Sequence, residues 1–254
     1  MREPLPTRID ATPALPAEYH AGLDAALDEL GLALEPPTRL IIDGHIRLLL
    51  AWTRSINLTA IRAPAAVAVA HVADSLSAIP LLRARSVERF LDLGSGGGLP
   101  GIPLAAALPA MDVCLVEARA KKARFLETVV SATRSSATVR VLAARAEVLA
   151  ADPAQRGTWP AVTARAVAST AELVELAFPL LEPGGILLAW KRADLRLELA
   201  AAERAMAALG GGQLRSRPVH VSGLDGHVLI EIRRTGSVPQ GYPREPRERR
   251  RRPW

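Results

Sequence analysis

The residues Phe90-Leu91-Asp92-Leu93-Gly94-Ser95-Gly96-Gly97-Gly98-Leu99-Pro100-Gly101-Ile102-Pro103 decide the fold. A short apolar run followed by four glycines and then a helical pattern reads as a buried strand, a sharp turn and a helix. Glycine lets the backbone turn there and approach a ligand with no side chain between them. In open α/β sheets, ligands bind beyond the carboxyl ends of the strands, which is where this loop falls.

Downstream of Arg89, short β-like runs alternate with helical patterns. The strands are expected at Phe90–Leu93, Val113–Val116, Val139–Leu142, Val162–Val167 and Ile186–Trp190, with helices over 100–108, 120–134, 169–181 and 194–209. Such alternation implies an α/β fold, a doubly wound and mostly parallel sheet with helices on both faces. The order ends differently, because Gln213–Val221 and His227–Ile232 flank the turn Leu224-Asp225-Gly226 with no helix between, predicting a terminal antiparallel strand pair. Upstream, Leu23, Leu27, Leu30 and Leu34 recur at helical spacing. Pro36-Pro37-Thr38 then breaks the pattern, and Leu40, Ile41, Leu48, Leu49 and Trp52 mark a second helix ending near Ser55. A third spans 65–82. Residues 1–85 are therefore expected to form a mobile lead-in (1–17) and a helical cap, 86–234 the α/β domain, and 235–254 a basic tail.

The charge is uneven. The chain of 254 residues carries a formal +6, and residues 233–254 hold eight Arg and two Glu, so residues 1–232 are neutral. A uniformly basic, histone-like protein is excluded. Arginine outnumbers lysine 29 to 3, so each of Lys121, Lys122 and Lys191 says more about a local need than any single arginine does. One cysteine, Cys114, excludes an internal disulfide and a multi-thiolate metal site, and it fits a reducing compartment. No metal is expected. With no run of 18 apolar residues and no apolar segment behind the charged N-terminus, neither a membrane span nor a secretory signal is expected, and the cytoplasm is the default.

Two cofactors compete for the glycine loop. A dinucleotide fingerprint can be laid on Gly96, Gly98 and Gly101, which leaves a nicotinamide-dependent oxidoreductase open. The strand ends at Leu93, however, so Gly94 is the first glycine in register and Leu99 falls at the third fingerprint position. Asp92 also puts a carboxylate where a pyrophosphate is poorly received. S-adenosylmethionine, with an ammonium and a sulfonium, suits an acidic strand end better. Glu117 closes the second strand 23 residues after Gly94, the spacing at which an acid meets ribose hydroxyls in either cofactor.

The residues also narrow the methylation chemistry. Attack at a pyrimidine C5 needs a thiolate, and Cys114 lies inside a strand, where a small buried hydrophobe is the simpler role. Methylation of an exocyclic amine goes with an acid or amide and two prolines after the fourth strand, but that strand reads Thr163-Ala164-Arg165-Ala166-Val167-Ala168. What remains is transfer to an atom that is already nucleophilic. Guanine N7 carries an in-plane lone pair and no proton, so alignment alone can drive its methylation.

Several motifs together resemble a known family. Ile56-Asn57-Leu58-Thr59-Ala60-Ile61-Arg62, His71-Val72-Ala73-Asp74-Ser75-Leu76, Gly98-Leu99-Pro100-Gly101-Ile102-Pro103, Val116-Glu117-Ala118-Arg119 with 121–126, Ala144-Arg145-Ala146-Glu147, Ala164-Arg165-Ala166 and Leu188-Ala189-Trp190-Lys191 are similar to the bacterial small-subunit ribosomal RNA guanine-N7 methyltransferases, also called glucose-inhibited division protein B. The resemblance spans roughly residues 38–244 and implies a sheet of six or seven strands that uses S-adenosylmethionine to modify a guanine of 16S ribosomal RNA. Carried over by motif, Gly94 and Leu99 contact the methionine end of the cofactor, with Asp92 and Gly96 beside them. Glu117 holds the ribose, and Ala146 and Glu147 the adenine. Arg165 lies beside cofactor and target base, and Arg145 and Lys191 face base or phosphate, making these three the catalytic candidates. Asn57, His71, Lys121 and Lys191 are the substrate-binding set. By default Lys121 shares a solvated helix face with Arg119, Lys122 and Arg124, and Lys191 ends an edge strand.

The implied partner is 16S ribosomal RNA or the small subunit, the implied state a monomer. Two departures stand out. Arg192 follows Lys191 where the family has glycine, and the tail runs Glu245-Pro246-Arg247-Glu248 into four arginines. They keep open an RNA-binding assembly factor that retains the fold without turnover.

Overall fold

The computed structural model describes residues 5–134, 137–192 and 195–254. Among these, β1 (Arg89–Leu93), β2 (Asp112–Val116), β3 (Thr138–Leu142), β4 (Trp159–Arg165), β5 (Leu181–Arg192), β6 (Gly212–Pro218) and β7 (His227–Arg234) form one sheet in the order β3-β2-β1-β4-β5-β7-β6. The first five are parallel, while β7 runs antiparallel to both β5 and β6. From β1 the order runs to β2 and β3 on one side and to β4 on the other. That reversal opens a crevice beyond the carboxyl ends of β1 and β4.

Strand alternation divides the apolar residues between two layers. Phe90, Val113, Leu115, Ile186, Leu188 and Trp190 face one core, whereas Leu91, Leu93, Cys114, Val116, Leu187 and Ala189 face the other. The first core is covered by the N-terminal helices α1 (Ala17–Leu30) and α2 (Pro36–Thr53), by a helical run of α3 (Pro64–Val67), a π-helical segment (Ala68–Ala73) and α4 (Asp74–Leu76), by α5 (Ile79–Ala84), and by α6 (Gly101–Ala107) and α7 (Ala120–Thr133). The second lies under α8 (Ala146–Ala151), α9 (Thr170–Ala177) and α10 (Arg196–Ala208). The last element is α11 (Pro246–Arg251).

Local chemistry sets several boundaries. Gly31, left-handed at φ 63, closes α1 with amide bonds from Gly31 to Asp28 and from Leu32 to Leu27. Pro36 and Pro37 start α2, where their missing N–H groups cost nothing. The Ser169 hydroxyl accepts the Glu172 amide at the start of α9.

Among the described residues, the cap shares its main core with the sheet. Tyr19, Leu23, Ile46 and Leu49 share a single cluster with Phe90 and Leu188. Residues 64–84 form a helical stretch long and apolar enough to cross a membrane, yet Val67, Val72, Leu76, Ile79 and Leu82 are buried in that cluster. It is a core helix.

The structure departs from the sequence expectations in several places. Residues 5–16, read as a loose lead-in, are tied down: Trp52 Nε1 donates to the Pro6 carbonyl at 2.7 Å, Arg47 donates to those of Pro13 and Ile9, and Leu5, Ile9 and Leu15 pack on the core. Strand β4 stops at Arg165, not Val167, because Ala166 turns to φ 56. Strand β6 stops at Pro218, short of Val221, although the Val219 amide still donates to the His227 carbonyl, and α9 stops at Ala177, ahead of Pro179. The short α8 has too few residues to show a period. The expected start of the last long helix at residue 194 lies outside the described residues.

The largest departure is the tail. Residues 242–254 fold back on the second layer. Arg244 and Trp254 both donate to the fully buried Glu175, and Arg249 pairs with Glu147 and Glu172.

Candidate active site

One wall of the crevice is the glycine loop, and backbone atoms build it. After β1 the chain turns at Gly94 (φ 69), where a Cβ would sit 2.7 Å from Val167 Cγ2. The Ser95 amide donates to the Val116 carbonyl at 2.9 Å, its hydroxyl donates to the Asp92 carbonyl, and the Gly98 amide donates to the Ser95 carbonyl at 2.7 Å. Glu117 braces the loop from β2, accepting the Gly96 amide at 3.0 Å and the Arg119 amide at 2.7 Å. From the cap, the fully buried His45 bonds through Nε2 to the Gly97 carbonyl at 2.7 Å. That contact makes Nε2 the protonated nitrogen, and burial drives the imidazole pKa down to about 4.

Asp92 lies beneath this wall rather than in it. It shares the cap-facing side of β1 with Phe90, is fully buried, and accepts the Thr163 hydroxyl at 2.7 Å on Oδ1, while Oδ2 has no partner. A Cβ on Gly101 would come within 2.7 Å of that Oδ2 and 2.4 Å of Leu115. Burial pushes the Asp92 carboxyl up to about 6, against the hydrogen bonds that favour its charge. The sequence reading placed Asp92 against the cofactor's cationic groups. The structure assigns it to the support under the turn, because the strand's alternation points its side chain into the core.

The opposite wall is made of side chains from separate segments. Arg165, at the end of β4, pairs with Asp74 Oδ2 at 3.2 Å and donates to the Ala70 carbonyl at 3.2 Å. Asp74 Oδ1 accepts from His227 Nδ1 at 3.2 Å, and the Asp74 carbonyl accepts Trp190 Nε1 at 2.7 Å. His71, on the π-helical segment, meets the Thr59 hydroxyl through Nε2 at 2.6 Å. The same hydroxyl accepts the Ile61 amide, so it donates to His71, whose Nδ1 keeps the proton and faces the Ala70 carbonyl. Burial and the nearby Arg165 lower the His71 pKa to about 4. Lys191 donates to the Ala168 carbonyl at 2.7 Å and pairs with Glu198.

Between the walls lies a cavity of about 510 Å³. Of the residues expected from sequence, it brings together Gly94, Gly96, Leu99, His71, Arg165 and Lys191. Glu117 stands behind the loop, Ala146 and the part-buried Glu147 start α8, and Arg145 (the N-cap of α8), Asn57 and Lys121 are exposed away from the cavity. Lys122, not Lys121, faces the cavity, since it turns inward with Phe125 and Leu126. Lys191 belongs to an interior strand, with β4 and β7 as neighbours, so the edge-strand explanation fails.

Sequence reading missed His45, His227 and Lys122. The scarcity of lysine pointed to Lys122. No sequence signal pointed to His227, which enters from a strand 62 residues after Arg165.

The residues present fit S-adenosylmethionine. The turn at Gly94 to Gly97 presents bare backbone to the cavity, as a close-fitting ligand requires. Glu117 accepts two amides and retains free lone pairs for hydroxyl donors. Lys122 and Arg165 offer donors for a carboxylate. Cys114 is buried and its thiol pushed up to about 11, so it supplies no nucleophile.

Comparisons agree with this geometry. The profile of the family described as rRNA small subunit methyltransferase G (GidB) matches residues 41–223. The chain is 42% identical over 198 residues to "Ribosomal RNA small subunit methyltransferase G" of Chloroflexus aggregans, covering 77% of this chain and 82% of that one. It is 37% identical to the protein of the same name from Sorangium cellulosum, over 94% of this chain and 95% of the other. Among solved structures, a putative O-methyltransferase from Klebsiella pneumoniae superposes with a TM-score of 0.54 at 16% identity, covering 85% of this chain and 97% of that one, a likeness of fold.

Proposed function

The chain belongs to the rRNA small subunit methyltransferase G family, and from that premise we propose that it methylates N7 of a guanine in 16S ribosomal RNA by in-line transfer without a general base. The nicotinamide reading of Gly96, Gly98 and Gly101 falls with that membership. The cofactor is S-adenosylmethionine, which when bound supplies an electrophilic methyl group on a sulfonium.

One observation carries the choice of N7: the cavity is rich in hydrogen-bond donors, and its carboxylate and one of its two imidazoles are already engaged. His71 Nε2 is occupied by the Thr59 hydroxyl, and Asp74 is held by both Arg165 and His227. Arg165, Lys191 and Lys122 are donors only. His227 donates through Nδ1 to Asp74, which leaves its Nε2 as an acceptor at the cavity, but the donors prevail and orient a base through its acceptors, guanine O6 above all. That suits an atom with a lone pair already exposed.

In this reading the loop residues Gly94, Gly96 and Leu99 hold the methionine end. Glu117 takes the ribose hydroxyls, and Ala146 and Glu147 border the adenine. Arg165 and Lys191 position the base. Arg145, Asn57 and Lys121, all exposed, meet RNA further out. The cavity is lined by residues of one chain, which supports action as a monomer, and an RNA substrate of this kind supports a cytoplasmic location.

The test is methyl transfer from tritiated cofactor to 16S RNA, naked or in small subunits, from cells lacking the modification, followed by digestion to nucleosides. The reading predicts label in 7-methylguanosine alone. Label in another nucleoside refutes the N7 assignment. No label, with RNA and S-adenosylhomocysteine both bound, leaves an assembly factor instead of an enzyme.

A further inference from the structure

The arginine-rich C-terminus was expected to be a separate tail. The structure sorts its arginines into two classes. Arg244 and Arg249 are fasteners, with side chains 14% and 9% exposed. Arg244 meets Glu175, a carboxylate with no exposed surface, through the backbone amide, Nε and Nη2. Its guanidinium also lies 4.5 Å from the Trp254 ring centre, and Trp254 itself donates to Glu175. Arg249 spans Glu147 and Glu172. The other four, Arg247, Arg250, Arg251 and Arg252, are exposed.

The fasteners fix where those four stand. Glu147 and Glu172 lie in the first turns of α8 and α9. Helix α9 follows β4, and α8 follows β3, so both first turns are at the carboxyl end of the sheet, the end that carries the glycine loop. The exposed arginines are thus held at the cofactor end of the molecule, on the adenine side, together with the exposed Arg145 that caps α8.

We propose that residues 242–254 form a docked arm on the rim of the cleft, in which Arg244 and Arg249 fasten the arm and Arg247, Arg250, Arg251 and Arg252 contact phosphates of the substrate RNA. The inference rests on the RNA-methylating function above. Charge complementarity selects the partner: four exposed guanidiniums stand against only Glu245 and Glu248 on the arm. The planar guanidinium pairs with phosphate in a two-pronged geometry. Contacts of this kind set position and add affinity without reading sequence.

The docked arm also changes the obvious experiment. Deleting residues 245–254 would strip partners from Glu147, Glu172 and Glu175 and confuse RNA binding with damage to the core. The clean test leaves the fasteners in place and replaces Arg247, Arg250, Arg251 and Arg252 with Gln in the full chain. Binding to naked 16S RNA is followed across a salt series, and S-adenosylhomocysteine affinity is measured by calorimetry.

Each lost phosphate contact lowers the steepness of log affinity against log salt by roughly 0.7 to 0.9. The fourfold variant should therefore lose about 3 from the slope and at least roughly tenfold in affinity near 100 mM salt, with cofactor affinity kept. A slope equal to the wild type's overturns the proposal and reassigns the arm to another partner, such as an acidic protein. A second variant, Arg249→Gln, separates a docked arm from a loose polycation. Docking predicts a larger loss of RNA affinity than Arg250→Gln causes, and equal losses contradict it. A wild-type chain that binds the RNA but does not methylate it defeats the enzymatic reading alone, while the slope comparison still decides the arm.

Discussion

The glycine-loop wall of the cleft is contiguous, residues 90–101, and acts almost entirely through backbone atoms. The facing wall gathers His71, Asp74, Arg165, Trp190 and His227 from four separated segments and acts through side chains. The first depends on conformation: what matters is that certain positions have no Cβ. The second depends on charge balance, since Asp74 alone joins a guanidinium, an imidazole and an indole. Binding of the cofactor belongs to the first wall, and placement of the target base to the second.

The largest expected effect breaks the backbone wall. Gly94→Val puts a β-branched residue at φ 69 and into Val167. Affinity for S-adenosylhomocysteine should fall by at least about a hundredfold, roughly 3 kcal/mol, since strain and collision add. Calorimetry checks it, and retained affinity would show that the loop is not the site.

Next comes the side-chain wall. Arg165→Gln removes a charged donor in a buried place. Single-turnover methyl transfer should slow by about 10² to 10³, the usual cost of a preorganised donor, with cofactor affinity changed only a few-fold and the fold intact. An unfolded variant would instead make Arg165 a core residue.

Acid then probes the coupling of cap and loop. His45 and His71 have pKa values near 4 in the fold, against 6.5 unfolded, so the unfolded chain takes up their protons first. Their contribution is whole above pH 6.5 and is lost as pH falls to about 4, by roughly 3 kcal/mol each. Asp92, raised to about 6 from 3.8, works the other way over the same range and cancels about one of them. Net stability should drop by about 3 kcal/mol between pH 6.5 and 4. Urea unfolding at pH 7 and pH 5 reads the start of this fall, and His45→Gln should flatten it. An unchanged midpoint would mean that the two imidazoles are not held neutral.

The smallest expected effect compares adjacent lysines. Lys122→Ala should raise the KM for cofactor or RNA several-fold, whereas Lys121→Ala, an exposed charge, should stay within about twofold. A reversed pair would restore the sequence assignment of Lys121.

Legibility in the sequence followed the same division. The strand, turn and helix around Gly94 could be read because their residues are adjacent and glycine carries a definite conformational meaning. The alternation of strands and helices exposed the sheet for the same reason. Motif likeness found His71, Asp74, Arg165 and Lys191, but no local pattern shows that Asp74 holds Arg165 and His227 together. Asp92 was misplaced because a carboxylate at a strand end says nothing about which face it occupies until the neighbouring layer is known. The packing of the basic tail could not be read because its partners, Glu147, Glu172 and Glu175, lie some 70 to 100 residues earlier.

The division of labour between the walls is tested most directly with Asp74→Asn, which keeps the shape of the side chain and removes the charge that Arg165 and His227 share. Calorimetry with S-adenosylhomocysteine and single-turnover transfer to 16S RNA are measured on the same protein. The account predicts cofactor affinity within about threefold of wild type and a transfer rate lower by at least about tenfold, the pattern of a lost transition-state contact. Parallel loss of affinity and rate, or an unchanged rate, would contradict it.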